Sequence, residues 1–322
     1  MKDSIKKAAA AIKAAKRIAI FCHTRPDGDT LGAGLGLKAA LGEKADIYCD
    51  SEISAYYDVF PNVKEIVPFA DLKGSYELFV AVDCADPPRL GRYEKEFLKH
   101  KNTIVVDHHV TNTGFAAIDC IFPAASSTSE IMLGVVKEVA GGAPDPLTAR
   151  CLYVGLSTDT GNFTHGNTAP SSFIAASELA AAGVDIAAVT DKLYKETTPH
   201  RLRMLAAVLS TLSLCEDDRA AVICVTLDML AQCGCKAYDT EGFIDYAINL
   251  KGVSVGIMIH ETGKNRYKLS LRSKAPVRVS DVCARFGGGG HAQAAGCLIQ
   301  GEFYDVRDKI LRAVREELEA GQ

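Results

Sequence analysis

Hydrophobic positions in the first half of the chain come in short unbroken runs. Residues 18–22 (IAIFC), 45–49 (ADIYC), 78–82 (LFVAV) and 103–106 (TIVV) read as strands covered on both faces. Between them, segments 31–41 and 94–100 carry helical patterns. The opening MKDSIKKAAAAIKAAKR reads as an amphipathic helix leading into the first strand. Further helices are expected at 129–139, introduced by the capping box Ser127-Thr128-Ser129-Glu130, from 147 toward 155, and over 170–182. This alternation predicts an α/β domain on a doubly wound, mainly parallel sheet.

The pattern changes near residue 195. A Thr-Thr-Pro break precedes a helical stretch at 202–214. Residues 220–226, 253–260 and 267–272 then read as strands, and 279–286 as a helix. The expected organisation is a catalytic domain over 1–190, a helical linker over 191–210, and a smaller α+β domain over 211–322. The active site is expected in the cleft between the domains. A length of 322 residues fits two cores better than one.

Composition narrows the classes. With 48% hydrophobic and 24% charged residues, the chain is an ordinary globular protein, not a disordered one. No apolar run approaches the ~20 residues of a membrane span, and the Ala-rich start lacks the compact apolar core of a signal peptide. The 11 cysteines are scattered, with Cys233-Gly-Cys235 the one close pair, and Cys22 and Cys224 read as buried thiols. A reducing, cytoplasmic location without membrane partners is expected. The net charge of -4 argues against a bulk polyanion coat. It is unevenly spread, however: residues 1–190 hold 18 Lys+Arg against 23 Asp+Glu, and residues 191–322 hold 18 against 17. Lys264, Arg266, Lys268, Arg272, Lys274, Arg278 and Arg285 face Asp281 alone within 262–291.

Chemistry concentrates in four segments that follow strand or helix ends. They are His23-Thr-Arg-Pro-Asp27-Gly-Asp29, Asp83, Asp107-His108-His109, and Asp159 in Ser-Thr-Asp-Thr-Gly. Carboxyl ends of strands line the ligand crevice of an open α/β sheet, so three of these segments should converge. One Asp after a strand is as often a helix cap or turn residue. Four such segments call for a cation, and the mixed oxygen and nitrogen donors suit a divalent metal centre, Mn²⁺ first, with Mg²⁺, Co²⁺ or Fe²⁺ as alternatives. Gly32-Ala-Gly34-Leu-Gly36 does not complete a dinucleotide fingerprint and is expected to let a helix pack closely on the first strand.

The strings HTRPDGD, Asp83, Asp107-His108-His109 and Asp159-Thr-Gly, in this order, closely resemble the motifs of the DHH phosphoesterases. Arg272-Ser273 and Gly287-Gly-Gly-Gly290-His291 resemble the associated C-terminal domain. The likeness spans nearly the whole chain, and within the family it is nearest to bacterial oligoribonucleases that also dephosphorylate phosphoadenosine phosphate. It implies one metal held by His23, Asp27 and Asp83, and a second held by Asp29, Asp83, His108 and Asp159. Asp107 would orient a histidine, and His109 would contact phosphate or donate a proton. Arg272, Ser273, Gly288, Gly289, Gly290, His291 and Asn112 would bind substrate. Two ions about 3.5–4 Å apart would provide a bridging hydroxide for in-line attack.

The expected activity is hydrolysis of short oligoribonucleotides, including linear dinucleotides such as pApA, and of the 3′-phosphate of phosphoadenosine phosphate. A homodimer is the oligomeric expectation. Alternatives are a cyclic-dinucleotide phosphodiesterase, a pyrophosphatase or polyphosphatase, and a nucleotide sensor without turnover.

Overall fold

The computed structural model describes residues 2–320, apart from the side chain of His291. The chain divides into two compact units, Met1–Glu196 and Thr197–Gln322. In the first, five strands, β1 (Ile18–Cys22), β2 (Ala45–Cys49), β3 (Leu78–Val82), β4 (Thr103–Asp107) and β5 (Ile118–Ile121), pair in the order β2-β1-β3-β4-β5, all parallel.

Alternate strand residues feed two cores. Ile18, Ile20, Val80, Val82 and Ile104 pack on one face, beneath the helices α1 (Lys2–Ala14), α2 (Gly28–Leu41), α4 (Thr128–Ala140) and α5 (Pro146–Asp159). Phe21, Tyr48, Phe79 and Val105 pack on the other, against Leu90, Tyr93 and Phe97, the last on α3 (Glu94–Lys99). Coverage on both sides is why β1 and β3 are apolar throughout.

Gly34 faces the first strand as expected, since a Cβ there would lie 3.0 Å from the Cys22 sulfur. Gly32 and Gly36 serve a different contact. A Cβ on Gly32 would meet Gly155 at 2.7 Å, and one on Gly36 would meet Leu152 at 2.8 Å, so the glycines let α2 lie close against α5. That contact brings the start of α2 toward the end of α5, where Asp29 and Asp159 stand. The unit is completed by α6 (Pro170–Ala181) and α7 (Ile186–Thr190).

The second unit is a mixed six-stranded sheet. Its strands are β6 (Ser213–Cys215), β7 (Ala220–Val225), β8 (Val255–Gly263), β9 (Arg266–Ser273), β10 (Gly289–His291) and β11 (Ala294–Gln300), in the order β10-β11-β9-β8-β7-β6. Only the β7–β8 pair is parallel. The helices α8 (Pro199–Leu209), α9 (Leu227–Cys233) and α10 (Ile244–Ile248) contribute to a core with Ile223 and Val225. On the opposite face, α11 (Val279–Ala284) and α12 (Phe303–Ala320) pack on Ile257, Leu269 and Leu271.

Residues 191–210, expected as a linker, are shared between the units. Leu193 lies in the first core, whereas Met204 and Val208 of α8 lie in the second. The helix expected at 202–214 ends at Leu209, and the chain then enters β6. No single helix among the described residues is long and apolar enough to cross a membrane.

Candidate metal centre

The strand order puts the topological switch between β1 and β3. Cys22 is registered against Val82, and Val82 against Val106, so the residues that follow β1 and β3 and those that end β4 emerge side by side. His23, Asp83 and Asp107-His108-His109 therefore share one sheet edge. The sequence-based expectation of convergence is met by geometry.

Asp83 is the hub. It is 1% exposed, and its backbone takes the left-handed conformation at φ 56°. Its Oδ2 lies 3.5 Å from His23 Nε2, and its Oδ1 lies 3.8 Å from His108 Nε2 and 3.6 Å from His109 Nδ1. Two buried hydroxyls hold the carboxylate. Thr30 Oγ1 donates to Oδ2 at 2.7 Å, and Thr128 Oγ1 donates to Oδ1 at 2.9 Å. Each oxygen thus spends one lone pair on a threonine and keeps another for a cation.

Asp27 divides its work. As the N-cap of α2 its Oδ1 accepts from the Asp29 and Thr30 amides, while Oδ2 stands 3.8 Å from His23 Nε2. Asp29 is buried, and both its oxygens are held by the first turn of α4, accepting from Thr128 N at 2.6 Å and Ser129 N at 2.8 Å. Asp159 ends α5. Its Oδ2 lies 3.6 Å from His108 Nε2 and accepts from Asn167 Nδ2 at 3.2 Å. His23 Nδ1 is 2.8 Å from the Thr24 carbonyl, the contact that assigns the proton to Nδ1 and turns Nε2 toward the carboxylates.

The ligand atoms fall into three sets, each within 4.8 Å of one another: His23, Asp27 and Asp83; Asp29, His108 and Asp159; Asp83, His108 and His109. Electrostatics show what such crowding requires. Burial, with repulsion from Asp83 and Asp27, raises the Asp159 carboxyl to about 7 although His108 opposes the shift. Burial and the charges of Asp83 and Asp159 also push Asp29 well up. Burial opposes charge on His23, but hydrogen bonds and charge from Asp27 and Asp83 raise it to about 9. Burial likewise disfavours ionised Asp83, yet His23, His109 and His108 hold its carboxyl well below the usual range. Without metal, the cluster offsets part of its negative charge by favouring protons on His23, Asp29 and Asp159. Divalent cations would take their place, and the oxygen and nitrogen donor set fits Mn²⁺ or its neighbours. The nearby thiols of Cys22 and Cys84 are driven up by burial, Cys22 far above the usual thiol range and Cys84 in the same direction, so they offer no thiolate ligand.

Asp107 is fully buried. Its Oδ1 is 2.7 Å from His109 Nδ1, so it orients that ring. Asn112, expected to touch substrate, instead donates to Asp107 Oδ2 at 2.7 Å and to the Cys84 carbonyl. Its Oδ1 accepts from Gly114, which leaves the buried side chain supporting Asp107.

Residues 17–156 match the DHH family, N-terminal domain, and residues 221–320 match the DHHA1 domain. Over 305 residues the chain is 30% identical to the bifunctional oligoribonuclease and PAP phosphatase NrnA of Thermus thermophilus, spanning 94% of this chain and 90% of that protein. The chain belongs to the DHH family. A second DHH relative, the bifunctional oligoribonuclease and PAP phosphatase NrnA of Bacillus subtilis, is 25% identical over 91% of this chain and 92% of its own. The fold is shared with an exopolyphosphatase-related protein from Bacteroides fragilis, at a TM-score of 0.92, 24% identity, and coverage of 99% and 98%. As a DHH phosphoesterase, the protein is a hydrolase of phosphoester bonds.

The DHHA1 unit carries the other expected contacts. Arg272 lies on β9, partly exposed, opposite Gly256 and Ala294, with one guanidinium nitrogen 3.3 Å from the Leu271 carbonyl. The Ser273 hydroxyl donates to the Val277 carbonyl at 2.7 Å and so closes its own turn. The glycine run is ordered by β11. A Cβ on Gly288 would lie 2.2 Å from the Gly296 carbonyl oxygen, and one on Gly290, at φ 146°, would lie 2.4 Å from that of Ala294. Gly289 has open space where a side chain would be. The backbone of His291 ends β10, and its side chain lies outside the described residues.

Thr30, Thr128, Ser129, Asn167 and Arg89 are site residues that sequence reasoning misses. The capping box at 127–130 marks a helix start, but nothing in the sequence aims that start at Asp29 and Asp83.

Proposed function

We propose that this protein uses two divalent metal ions, Mn²⁺ foremost, to hydrolyse short oligoribonucleotides and the 3′-phosphate of phosphoadenosine phosphate. The observation that carries this reading is the split of Asp83: one oxygen faces the His23–Asp27 set and the other faces His108. Both NrnA relatives, named for these two activities, support the substrate assignment.

His23, Asp27 and Asp83 would hold one ion; Asp29, Asp83, His108 and Asp159 would hold the other. When bound, the ions supply positive charge for the phosphoryl oxygens and acidify an attacking water. The chain's own residues do the rest. Thr30 and Thr128 fix the plane of the Asp83 carboxylate. Asp107 fixes the His109 ring, placing that imidazole to contact a phosphoryl oxygen or protonate the departing 3′-oxygen. Burial opposes charge on His109, but the hydrogen bond to Asp107 and the charges of Asp83 and Asp107 outweigh it and push the pKa upward. Arg272 can grip a substrate phosphate through two parallel hydrogen bonds, and Gly289 and His291 would approach the nucleotide.

The test is a substrate panel with Mn²⁺, scored by product chromatography. Diribonucleotide, pentaribonucleotide and phosphoadenosine phosphate should be turned over, and a long single strand much more slowly. Faster release from a cyclic dinucleotide or from pyrophosphate would overturn the assignment.

A further inference from the structure

Two arginines on one 3₁₀ segment, Pro87–Tyr93, have different surroundings. Arg92 is neutralised: its guanidinium pairs with Asp50 at 3.0 Å and donates to the Phe69 carbonyl. Arg89, three residues earlier and partly buried, pairs with no carboxylate among the described residues. Its Nη2 instead lies 3.2 Å from each ring nitrogen of His23. The placement is fixed by the backbone, because the Arg89 carbonyl accepts from Thr24 N at 2.7 Å and its amide donates to Asp86. Its charge also reaches His109, where it works against protonation of that ring.

A guanidinium is charged at any ordinary pH. His23 Nε2 can accept from it only while that nitrogen carries neither proton nor metal. Once a cation occupies Nε2, Arg89 is left beside a cationic centre with no acceptor at that atom. The carboxylates of Asp27 and Asp83 offset the cation, so Arg89 loses that contact and keeps its donors for an anion that enters with the substrate. Resting on the phosphoesterase reading above, we infer that Arg89 is a phosphate-binding residue that donates to a phosphoryl oxygen of the substrate on the His23–Asp27–Asp83 side. The geometry suits a guanidinium because a planar fork can serve two oxygens of one phosphoryl group. A structural role would look different: Arg89 would then act as a stand-in cation that neutralises the acidic cluster.

The experiment compares wild-type protein with Arg89→Gln and Arg89→Lys, each loaded with Mn²⁺. Free Mn²⁺ is followed by electron paramagnetic resonance, inorganic phosphate binding by calorimetry, and turnover with phosphoadenosine phosphate. Phosphate binding by Arg89→Gln should weaken about ten-fold or more, and its kcat/KM should fall about 100-fold, while Mn²⁺ affinity and Tm stay at wild-type values. Arg89→Lys should recover only a minor part, since it restores charge without the fork. Unchanged phosphate binding, or a loss of Mn²⁺ affinity in step with it, would overturn the inference. Phosphate calorimetry does not require turnover. A wild-type protein inactive on every nucleotide would therefore defeat the functional reading and still leave Arg89 decided by binding.

Discussion

In the first unit, His23, Asp29, Asp83 and Asp107 are all buried, and every carboxylate among them is held by named donors such as Thr30, Thr128 and the start of α4. In the second, Arg272 is partly exposed on a sheet strand with a guanidinium nitrogen on the Leu271 carbonyl, while Gly289 borders open space. On the proposed reading, the first region would hold cations and the second would receive the anionic substrate. Polar groups buried at such density, with carboxyls driven up toward neutrality, are tolerated where a metal will repay the desolvation. Changes in the first region should therefore alter metal binding and turnover together. Those in the second should alter substrate affinity alone.

The largest effect should come from Asp83→Asn, which removes charge from both ligand sets at once. Turnover should fall by about three orders of magnitude or more, with loss of the second Mn²⁺ in a titration. A variant that retained full Mn²⁺ stoichiometry would break the shared-ligand part of the comparison. Thr128→Val is milder: the carboxylate remains but loses one donor. Mn²⁺ affinity should drop about 10–100-fold, and Thr128→Ser should restore it. In the second unit, Arg272→Lys should raise KM about ten-fold with little change in Mn²⁺ binding, which steady-state kinetics and paramagnetic resonance can separate. Gly289→Ala should be the smallest change in stability, within about 0.5 kcal/mol by thermal melting. Gly290→Ala should cost about 1–3 kcal/mol, because its φ of 146° and the Ala294 carbonyl leave no room for a Cβ.

Proton linkage sharpens the same contrast. Metal-free, folded His23 titrates at about 9 and Asp159 at about 7, both above their ordinary values. The folded state then binds more protons than the unfolded chain. The Asp159 contribution declines as pH rises from about 4 to 7, and that of His23 from about 6.5 to 9. The Tm of the metal-free protein should fall across this range, and Mn²⁺ should bind more tightly as pH increases, releasing protons as it does. Calorimetry in buffers of different ionisation enthalpy would measure that release. Zero proton release near pH 7 would contradict the assignment of these groups as ligands.

Much of the first unit is legible in the sequence because its physics is local. Unbroken apolar runs announce β1 to β4, and the acids and histidines that follow them can only emerge at the carboxyl edge. β5 is harder to read: in Ile118-Asp119-Cys120-Ile121 only Cys120 is fully covered, so the run lacks a buried pattern. β10 and the start of β11 are obscured in another way, since Gly289-Gly290 and Ala294-Ala295-Gly296 carry little side chain, although β11 buries Ala295, Cys297 and Ile299 in alternation. The helix α12 does carry apolar spacing at Val306, Ile310, Val314 and Leu318, yet the expectations drawn from sequence omit it. At the site, the metal-ligand candidates stand in recognisable strings. The donors that hold them, Thr30, Thr128 and Asn167, are ordinary polar residues whose roles arise only when α2, α4 and the loop after α5 meet. Asn112 shows the converse, a motif residue whose amide turns inward to Asp107.

The account stands most directly on where metal binds. A crystal grown with Mn²⁺ and measured at the manganese absorption edge should show two anomalous peaks per chain in the first unit. One should touch His23 and Asp27, the other Asp29, His108 and Asp159, with Asp83 reaching both. A single peak, or two peaks with Asp83 bound to neither, would contradict it.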